Sequence, residues 1–157
     1  ELEGLTVTTA ENSHFVIPDE SSAKEKAKSL SFRFDLEDRS IVFTGDTGPS
    51  DAVIELATGA DILISEMMDI PAVLETVKQT NPNMPAQQLA GIEWHFRAHH
   101  VLPIQVGEMA KAAGVSKVII THMAPNVSSK ELADRYTAEI SENFSGEIVI
   151  AKDLDNF

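Results

Sequence analysis

The chain has 157 residues, a length typical of one domain, and its formal net charge is −13, from 25 acidic and 12 basic residues. A charge of this sign repels phosphate backbones and anionic membrane surfaces, so the composition predicts that nucleic acids and membranes are disfavoured partners. The sequence contains no cysteine, which excludes disulfides and thiolate metal sites and leaves His, Asp and Glu as candidate metal ligands. Composition leaves the cellular compartment open.

The first third of the chain has the alternating pattern of half-buried strands. Residues 5–10 ("LTVTTA") alternate apolar and polar side chains, and residues 13–17 ("SHFVI") could extend the same strand. Residues 18–29 are polar and predict a loop. Residues 30–36 ("LSFRFDL") alternate again, and residues 41–43 ("IVF") follow after a short turn, which predicts an antiparallel hairpin.

The rest of the chain alternates helices with strands. Apolar spacing predicts helices over residues 49–60, 70–80, 86–100, 103–114 and 128–144, and strands over residues 61–65, 115–122 and 146–151. One of these helices begins with Pro103 and ends with Gly114, the asymmetry expected of helix ends. The order of elements predicts a single α/β (α+β) domain over residues 1–157, with one layered sheet and helices on one face.

Three ionisable residues lie where predicted strands end. Asp46 stands between two glycines, and Glu66 and His122 each follow an apolar strand. Because ligands collect at the carboxyl ends of strands in such sheets, these side chains could converge on one mouth. Each also has a simpler interpretation. Asp46 could cap the next helix, Glu66 could be a solvated loop end, and His122 could be an ordinary surface or core histidine.

Several aromatic residues cluster near residue 100. His95 and His99 are four residues apart and share a helix face, a spacing that can bind a metal but is a weak signal alone. His100 precedes the helix that begins at Pro103, and that helix end would lower the pKa of His100 and suit a proton donor facing an anion. We expect Trp94 to pack in the core or at its rim.

Two segments resemble a known family. Residues 41–66 ("IVFTGDTGPSDAVIELATGADILISE") and 99–125 ("HHVLPIQVGEMAKAAGVSKVIITHMAP") are similar to the C-terminal half of the metallo-β-lactamase fold hydrolases, in the branch that holds ribonuclease Z and arylsulfatase-like enzymes. The shared features are a Gly-Asp-Thr turn, a glutamate after the next strand, a histidine before a helix and a Thr-His pair after the following strand. The resemblance implies a metallo-β-lactamase αβ/βα sandwich, of which this chain supplies mainly the βα half.

The same resemblance implies roles for four residues. The residue matching Asp46 bridges two divalent metal ions, usually zinc, and the residue matching His122 ligates one of them. His100 would be a catalytic proton donor or transition-state stabiliser, and Glu66 would orient it.

Two more histidines are substrate-binding candidates. The residues around His14 resemble a segment beside the active-site mouth, so His14 is expected to face the substrate, and a packing role is equally open. The branch has Ser-Thr where this chain has Val101 and Leu102, so His99 competes with its neighbour for the catalytic place and is otherwise expected to contact substrate.

The family's metal-binding signature, a His-x-His-x-Asp-His loop, and a further ligand histidine are not found in this sequence. We therefore expect that an N-terminal half is missing, and that this chain alone binds zinc weakly or not at all. We also expect it to expose an apolar sheet face and to associate there with the N-terminal half or with another copy.

The resemblance implies a metal-dependent hydrolase in which a water activated by two metal ions attacks an ester-type bond. The acidic composition favours a small-molecule ester, lactone, sulfate or phosphodiester over transfer RNA. Two alternatives stay open. One is a catalytically inert half-domain that only pairs with its missing half or another copy, and the other is an RNA-processing phosphodiesterase.

Overall fold

A computed structural model describes residues 4–15, 21 and 27–157. In chain order the elements there are β1 (Thr6–Glu11), β2 (Leu30–Asp35), β3 (Ser40–Phe43), α1 (Asp51–Ala57), β4 (Ile62–Met68), α2 (Ile70–Thr80), α3 (Ala86–His99), α4 (Pro103–Ala113), β5 (Lys117–Ala124), α5 (Lys130–Ser141) and β6 (Glu147–Ile150). Residues 13–15 form no strand, and the rest of that predicted extension lies outside the described residues, as does most of the predicted loop at 18–29. Among the described helices, none has the length and apolar character needed to cross a membrane.

The six strands of the described chain form one sheet in the order β1-β2-β3-β4-β5-β6. β2 pairs antiparallel with β1 and β3, whereas β3 to β6 pair in parallel, so the predicted hairpin and the predicted βα order are both confirmed. Because β1 and β3 run in the same direction, the C-terminal ends of β1, β3, β4 and β5 lie at one edge of the sheet. We call this edge the C-terminal edge.

Helices α1, α4 and α5 bury one face of the sheet. Alternate residues of the central strands point towards them, and Val42, Leu63 and Val118 have no exposed surface. Burial of each such side chain contributes about 1.5–3 kcal/mol. Gly107 lets α4 approach α5 closely, because a Cβ at this position would lie 2.3 Å from the carbonyl oxygen of Ile140.

The opposite face of the sheet is apolar and partly exposed. Phe32 and Phe43 are cross-strand partners on β2 and β3, and each keeps more than a third of its surface exposed. Phe34 packs edge-on against Phe43, with ring centroids 5.8 Å apart. The association of this face with an N-terminal half or with another copy stays a prediction.

Helices α2 and α3 form a hairpin between β4 and α4. They pack mainly on each other, through the apolar residues Ile70, Leu74, Leu89, Ile92 and Phe96. No residue of α3 is fully buried. Trp94 keeps 61% of its surface exposed, so of the two expected places, the core and its rim, the core is wrong.

Asp69 joins this hairpin to α5. One carboxylate oxygen accepts a hydrogen bond from the backbone N–H of Ala72 and caps α2, and the other accepts from the Arg135 guanidinium and the Tyr136 hydroxyl. Burial by itself would raise the pKa of Asp69, but these donors, Arg135 first, hold it below its ordinary value. Burial and the Asp69 carboxylate raise the pKa of Tyr136 to about 12.

Replacing Asp69 by Asn should destabilise the fold at neutral pH by about 1 kcal/mol, a modest value because Arg135 is half exposed. Asn keeps the cap of α2 but removes the negative charge. Since the folded pKa of Asp69 is lowered, its stabilisation is present above the unfolded pKa of about 3.9 and is lost as the pH falls through the folded pKa. Thermal unfolding of the two proteins should therefore converge in acid.

The matched control is Glu131→Gln, which removes an exposed carboxylate from the first turn of α5. A destabilisation by Asp69→Asn that is the same at neutral and acid pH would contradict the ion-pair explanation.

Candidate metal and catalytic site

Four side chains converge at the C-terminal edge. Ligand atoms of His14, Asp46 and His100 all lie within 4.8 Å of one another, close enough to hold one metal ion. The Nε2 atom of His122 lies 3.2 Å from an Asp46 carboxylate oxygen. The predicted convergence of Asp46, Glu66 and His122 is confirmed, because all three line one cavity, and His14 and His100 lie beside Asp46.

Asp46 is presented by the turn between β3 and α1. Gly45 adopts φ +60°, a left-handed conformation that favours glycine, and this turns the chain sharply after β3. The cap of α1 is Ser50, whose side chain accepts a hydrogen bond from the Val53 N–H. The interpretation of Asp46 as a helix cap is therefore wrong, and its carboxylate faces the histidines instead.

His14 is held in place by the residue two positions before it. The buried Asn12 amide donates to the Thr44 carbonyl at 3.0 Å, and its oxygen accepts from the His14 backbone N–H at 3.1 Å. The Nδ1 atom of His14 lies 3.0 Å from the carbonyl oxygen of His99, so Nδ1 must carry the proton and donate. Nε2 is then left as the acceptor, the arrangement typical of a metal-ligating histidine.

Sequence reasoning missed the ligand geometry of His14. A signal for it was present, because His14 follows β1 as Asp46 follows β3, and both strands end at the C-terminal edge. A histidine that follows β1 therefore lies close to the other potential metal ligands at this edge. The predicted contact of His14 with substrate stays a prediction.

Glu66 is buried at the centre of the site, with only 3% of its surface exposed, so it is not a solvated loop end. One carboxylate oxygen accepts from the backbone N–H groups of Thr47 at 3.3 Å and Val101 at 3.2 Å. The other oxygen lies 3.3 Å from Nδ1 of His100. This contact fixes the His100 ring through Nδ1.

The hydrogen bond to Glu66 raises the pKa of His100 above its ordinary value, against the effect of burial, and the negative charge of Asp46 adds to it. The prediction that the following helix lowers this pKa is wrong. A carboxylate in direct contact outweighs the partial charge of a helix end, and α4 begins only at Pro103, three residues later.

His99 lies behind His14 and outside the group at ligand distance. Its ring contacts His14 at 5.6 Å and His95 at 4.1 Å between centroids, so the shared helix face of His95 and His99 is confirmed. Burial is the main cause that lowers the pKa of His99, and the charge of the nearby His95 is the second. Its Nε2 is buried and has no hydrogen-bond partner within the described part of the chain.

Gly48 brings the end of α3 to the site. A Cβ there would lie 2.1 Å from the carbonyl oxygen of Ala98, so only glycine permits this approach. His99 and His100 follow directly and are thereby placed over the turn that carries Asp46.

His122 is the most open member of the site, with 70% of its side chain exposed. Its φ of +46° lies in the left-handed region, which residues with a Cβ seldom adopt. Conformations of this kind concentrate at functional sites, where surrounding structure maintains them. The donors of His14, Asp46 and His122 are imidazole nitrogens and carboxylate oxygens, a set that suits zinc.

Comparison with known proteins gives concordant matches. A model of the beta-lactamase superfamily domain matches residues 1–123. Ribonuclease Z from Thermobifida fusca (strain YX) is 33% identical over 129 residues, which cover 78% of this chain and 35% of the relative. The chain spans only part of the length of the curated relatives it matches.

Solved structures share the fold. The metallo-beta-lactamase fold protein YhfI from Bacillus subtilis matches with a TM-score of 0.62 and 22% identity, over 96% of this chain and 48% of that one. The short form of human tRNase Z matches with a TM-score of 0.54 and 19% identity, over 99% and 43%. The predicted fold class is therefore confirmed.

These relatives overturn the predicted partners. The Thermobifida fusca protein is named a ribonuclease, so the prediction of a small-molecule substrate with nucleic acid disfavoured is wrong. The physical reason is that net charge sums the whole surface of a chain, whereas a substrate meets the potential of one site. Metal ions in a site are often its largest local charges and can reverse the effect of a global negative field.

Replacing Asp46 by Asn in the complete protein should weaken zinc binding by more than about 100-fold, because losing even an outer hydrogen-bonding partner of a ligand costs about 10–100-fold. The fold should be retained, since Ser50 and not Asp46 caps α1. Zinc affinity is measured by competition with a chromogenic chelator, and stability by thermal unfolding without metal. Asp51→Asn, an exposed carboxylate in the first turn of α1, is the control. Unchanged zinc affinity in Asp46→Asn would end the ligand assignment.

Replacing Glu66 by Gln should lower the pKa of His100, because the hydrogen bond that raises it loses its charge. Since the folded pKa is raised, the pair stabilises the fold fully below the unfolded pKa of about 6.5, and this stabilisation is lost as the pH rises through the folded pKa. NMR titration of His100 in the metal-free protein measures the shift. Glu108→Gln, on the exposed side of α4, should leave the titration unchanged. An unaltered His100 pKa in Glu66→Gln would show that another group sets it.

Proposed function

Because the chain belongs to the beta-lactamase superfamily, among the metallo-β-lactamase fold hydrolases in the branch that holds ribonuclease Z, we propose that the complete protein is a metal-dependent phosphodiesterase that cleaves RNA. The observation that carries the proposal is the convergence of His14 and Asp46, with His122 in contact with Asp46, beside the Glu66–His100 pair. One group supplies metal ligands, and the other supplies a positioned proton. RNA as substrate is supported by the ribonuclease named among the relatives.

His14, Asp46 and His122 would hold the metal ions, with further ligands from outside this chain. The fit rests on their donor atoms and on the hydrogen bond that leaves Nε2 of His14 as an acceptor. Bound divalent ions would lower the pKa of a water and offset the negative charge of the phosphate. Asp46, which contacts His122 and has a carboxylate oxygen within 4.8 Å of a His14 ring nitrogen, would supply a carboxylate ligand.

His100 would serve the leaving group. Its raised pKa keeps a larger share of the imidazole protonated near neutral pH, and Glu66 occupies Nδ1, so Nε2–H is the group that faces substrate. A proton given to the departing alkoxide oxygen, or a hydrogen bond to a phosphoryl oxygen, lowers the barrier of phosphodiester cleavage. Glu66 acts through His100 and is a positioning residue.

Replacing His100 by Ala in the complete protein should lower RNA turnover by about 10²–10⁴-fold, the range for general acid–base groups, while zinc content is retained. Cleavage of end-labelled RNA and metal analysis of the purified variant measure the two effects. A zinc chelator should abolish turnover of the unaltered protein.

His99→Ala is the matched control, because its ring lies behind His14 and outside the group at ligand distance. It should reduce turnover far less. If His99→Ala lowered turnover more than His100→Ala, the proton donor would be His99. RNA turnover that persists without metal would refute the proposed chemistry.

A further inference from the structure

We propose that the outer face of α3, centred on Trp94, is a stacking platform for an unpaired base of the substrate RNA beside the candidate site. The proposal deepens the function proposed above and rests on it. Trp94 is the only tryptophan of the chain and has 61% of its surface exposed. An indole is usually buried for most of its area, so a widely exposed one next to a candidate site points to a binding role.

Ring contacts connect Trp94 to the site. Its ring lies 6.3 Å from that of His99 in an edge-on arrangement. His99 lies 5.6 Å from His14, and His14 lies 5.4 Å from His100, measured between centroids. Trp94 is therefore two ring contacts away from a candidate metal ligand. A base stacked on it would hold the neighbouring phosphate near the site.

The outer face of α3 adds no negative charge that would repel an anionic ligand. Its exposed residues have no carboxylate, and they are Gln87, Ala90, Gly91, Trp94 and His95. The nearest acidic residue, Glu93, is engaged by Arg97 at 2.9 Å. In a chain with a net charge of −13, a surface without acidic groups is the part that phosphates approach with least repulsion.

No side chain at residue 91 covers Trp94. Gly91 lies one turn before Trp94, and a Cβ added there would meet no atom within 4 Å. The absence of a side chain on that turn leaves the indole accessible to a planar partner. Aromatic side chains recognise single-stranded RNA in this way, because every base has a π-face, and stacking of one base changes affinity by about 5- to 150-fold.

The experiment uses the complete protein with zinc and two substrates. Trp94→Ala should raise the KM for single-stranded RNA by about 5- to 150-fold. The same variant should leave the turnover of bis(4-nitrophenyl) phosphate, a phosphodiester without a base, unchanged. Trp94→Phe should restore most of the RNA affinity. Gly91→Leu should weaken RNA binding without removing the indole, and Leu154→Ala, an exposed apolar residue outside α3, should have no effect.

Fluorescence gives a readout that does not depend on cleavage. The emission of Trp94, obtained as the difference between the unaltered protein and Trp94→Phe, should be quenched by single-stranded RNA and much less by an abasic strand. If neither substrate is cleaved, the proposed function fails. The quenching of Trp94 emission by RNA still shows whether a base stacks on Trp94. If RNA is cleaved while Trp94→Ala leaves KM unchanged and emission is not quenched, the platform is refuted. It is equally refuted if Trp94 emission in the complete protein is that of a buried indole.

Discussion

The geometry of the site depends on the hydrogen bonds that the buried carboxylate of Glu66 accepts. A carboxylate with 3% exposure is costly unless hydrogen-bond donors surround it. Its donors come from Thr47 after β3, from Val101 before α4 and from the His100 ring. These segments are far apart in sequence, so the bonds that satisfy Glu66 also fix the distance between the turn that presents Asp46 and the ring that would supply a proton.

Most of the fold could be predicted from local patterns. Alternation marked β1 and β2, apolar runs marked β3 to β6, and the residues that start and end α4 were readable as Pro103 and Gly114. The edge that carries Asp46 and His122 was also predictable, because parallel strands end together. These features depend on neighbours in sequence or on a general rule of sheet topology, and the structure therefore agrees with them.

The features that failed depend on distant contacts. His14 gains its ligand geometry from Asn12, whose amide bonds the Thr44 carbonyl on another strand. The pKa of His100 is set by Glu66, a residue of β4, and not by the helix that follows His100 in sequence. Helical spacing predicted an apolar stripe on α3 but not how deeply its residues are buried. Their burial depends on whether another element packs on the face of α3 that points away from α2. Trp94 was therefore expected in the core or at its rim, although most of its surface is exposed.

The error in substrate class has a related cause. A net charge of −13 is a sum, and it carries no information about where the carboxylates stand. Acidic residues crowd α5, where Glu131 and Asp134 are exposed and Glu139 is partly buried. Lys130 pairs with Asp134 and Arg135 pairs with Glu139. Around the site, by contrast, the carboxylates of Asp46 and Glu66 contact histidines, and Glu93 on α3 pairs with Arg97. An acidic chain can therefore present a surface on which an anionic polymer binds, and the distribution of charge around the site decides the substrate.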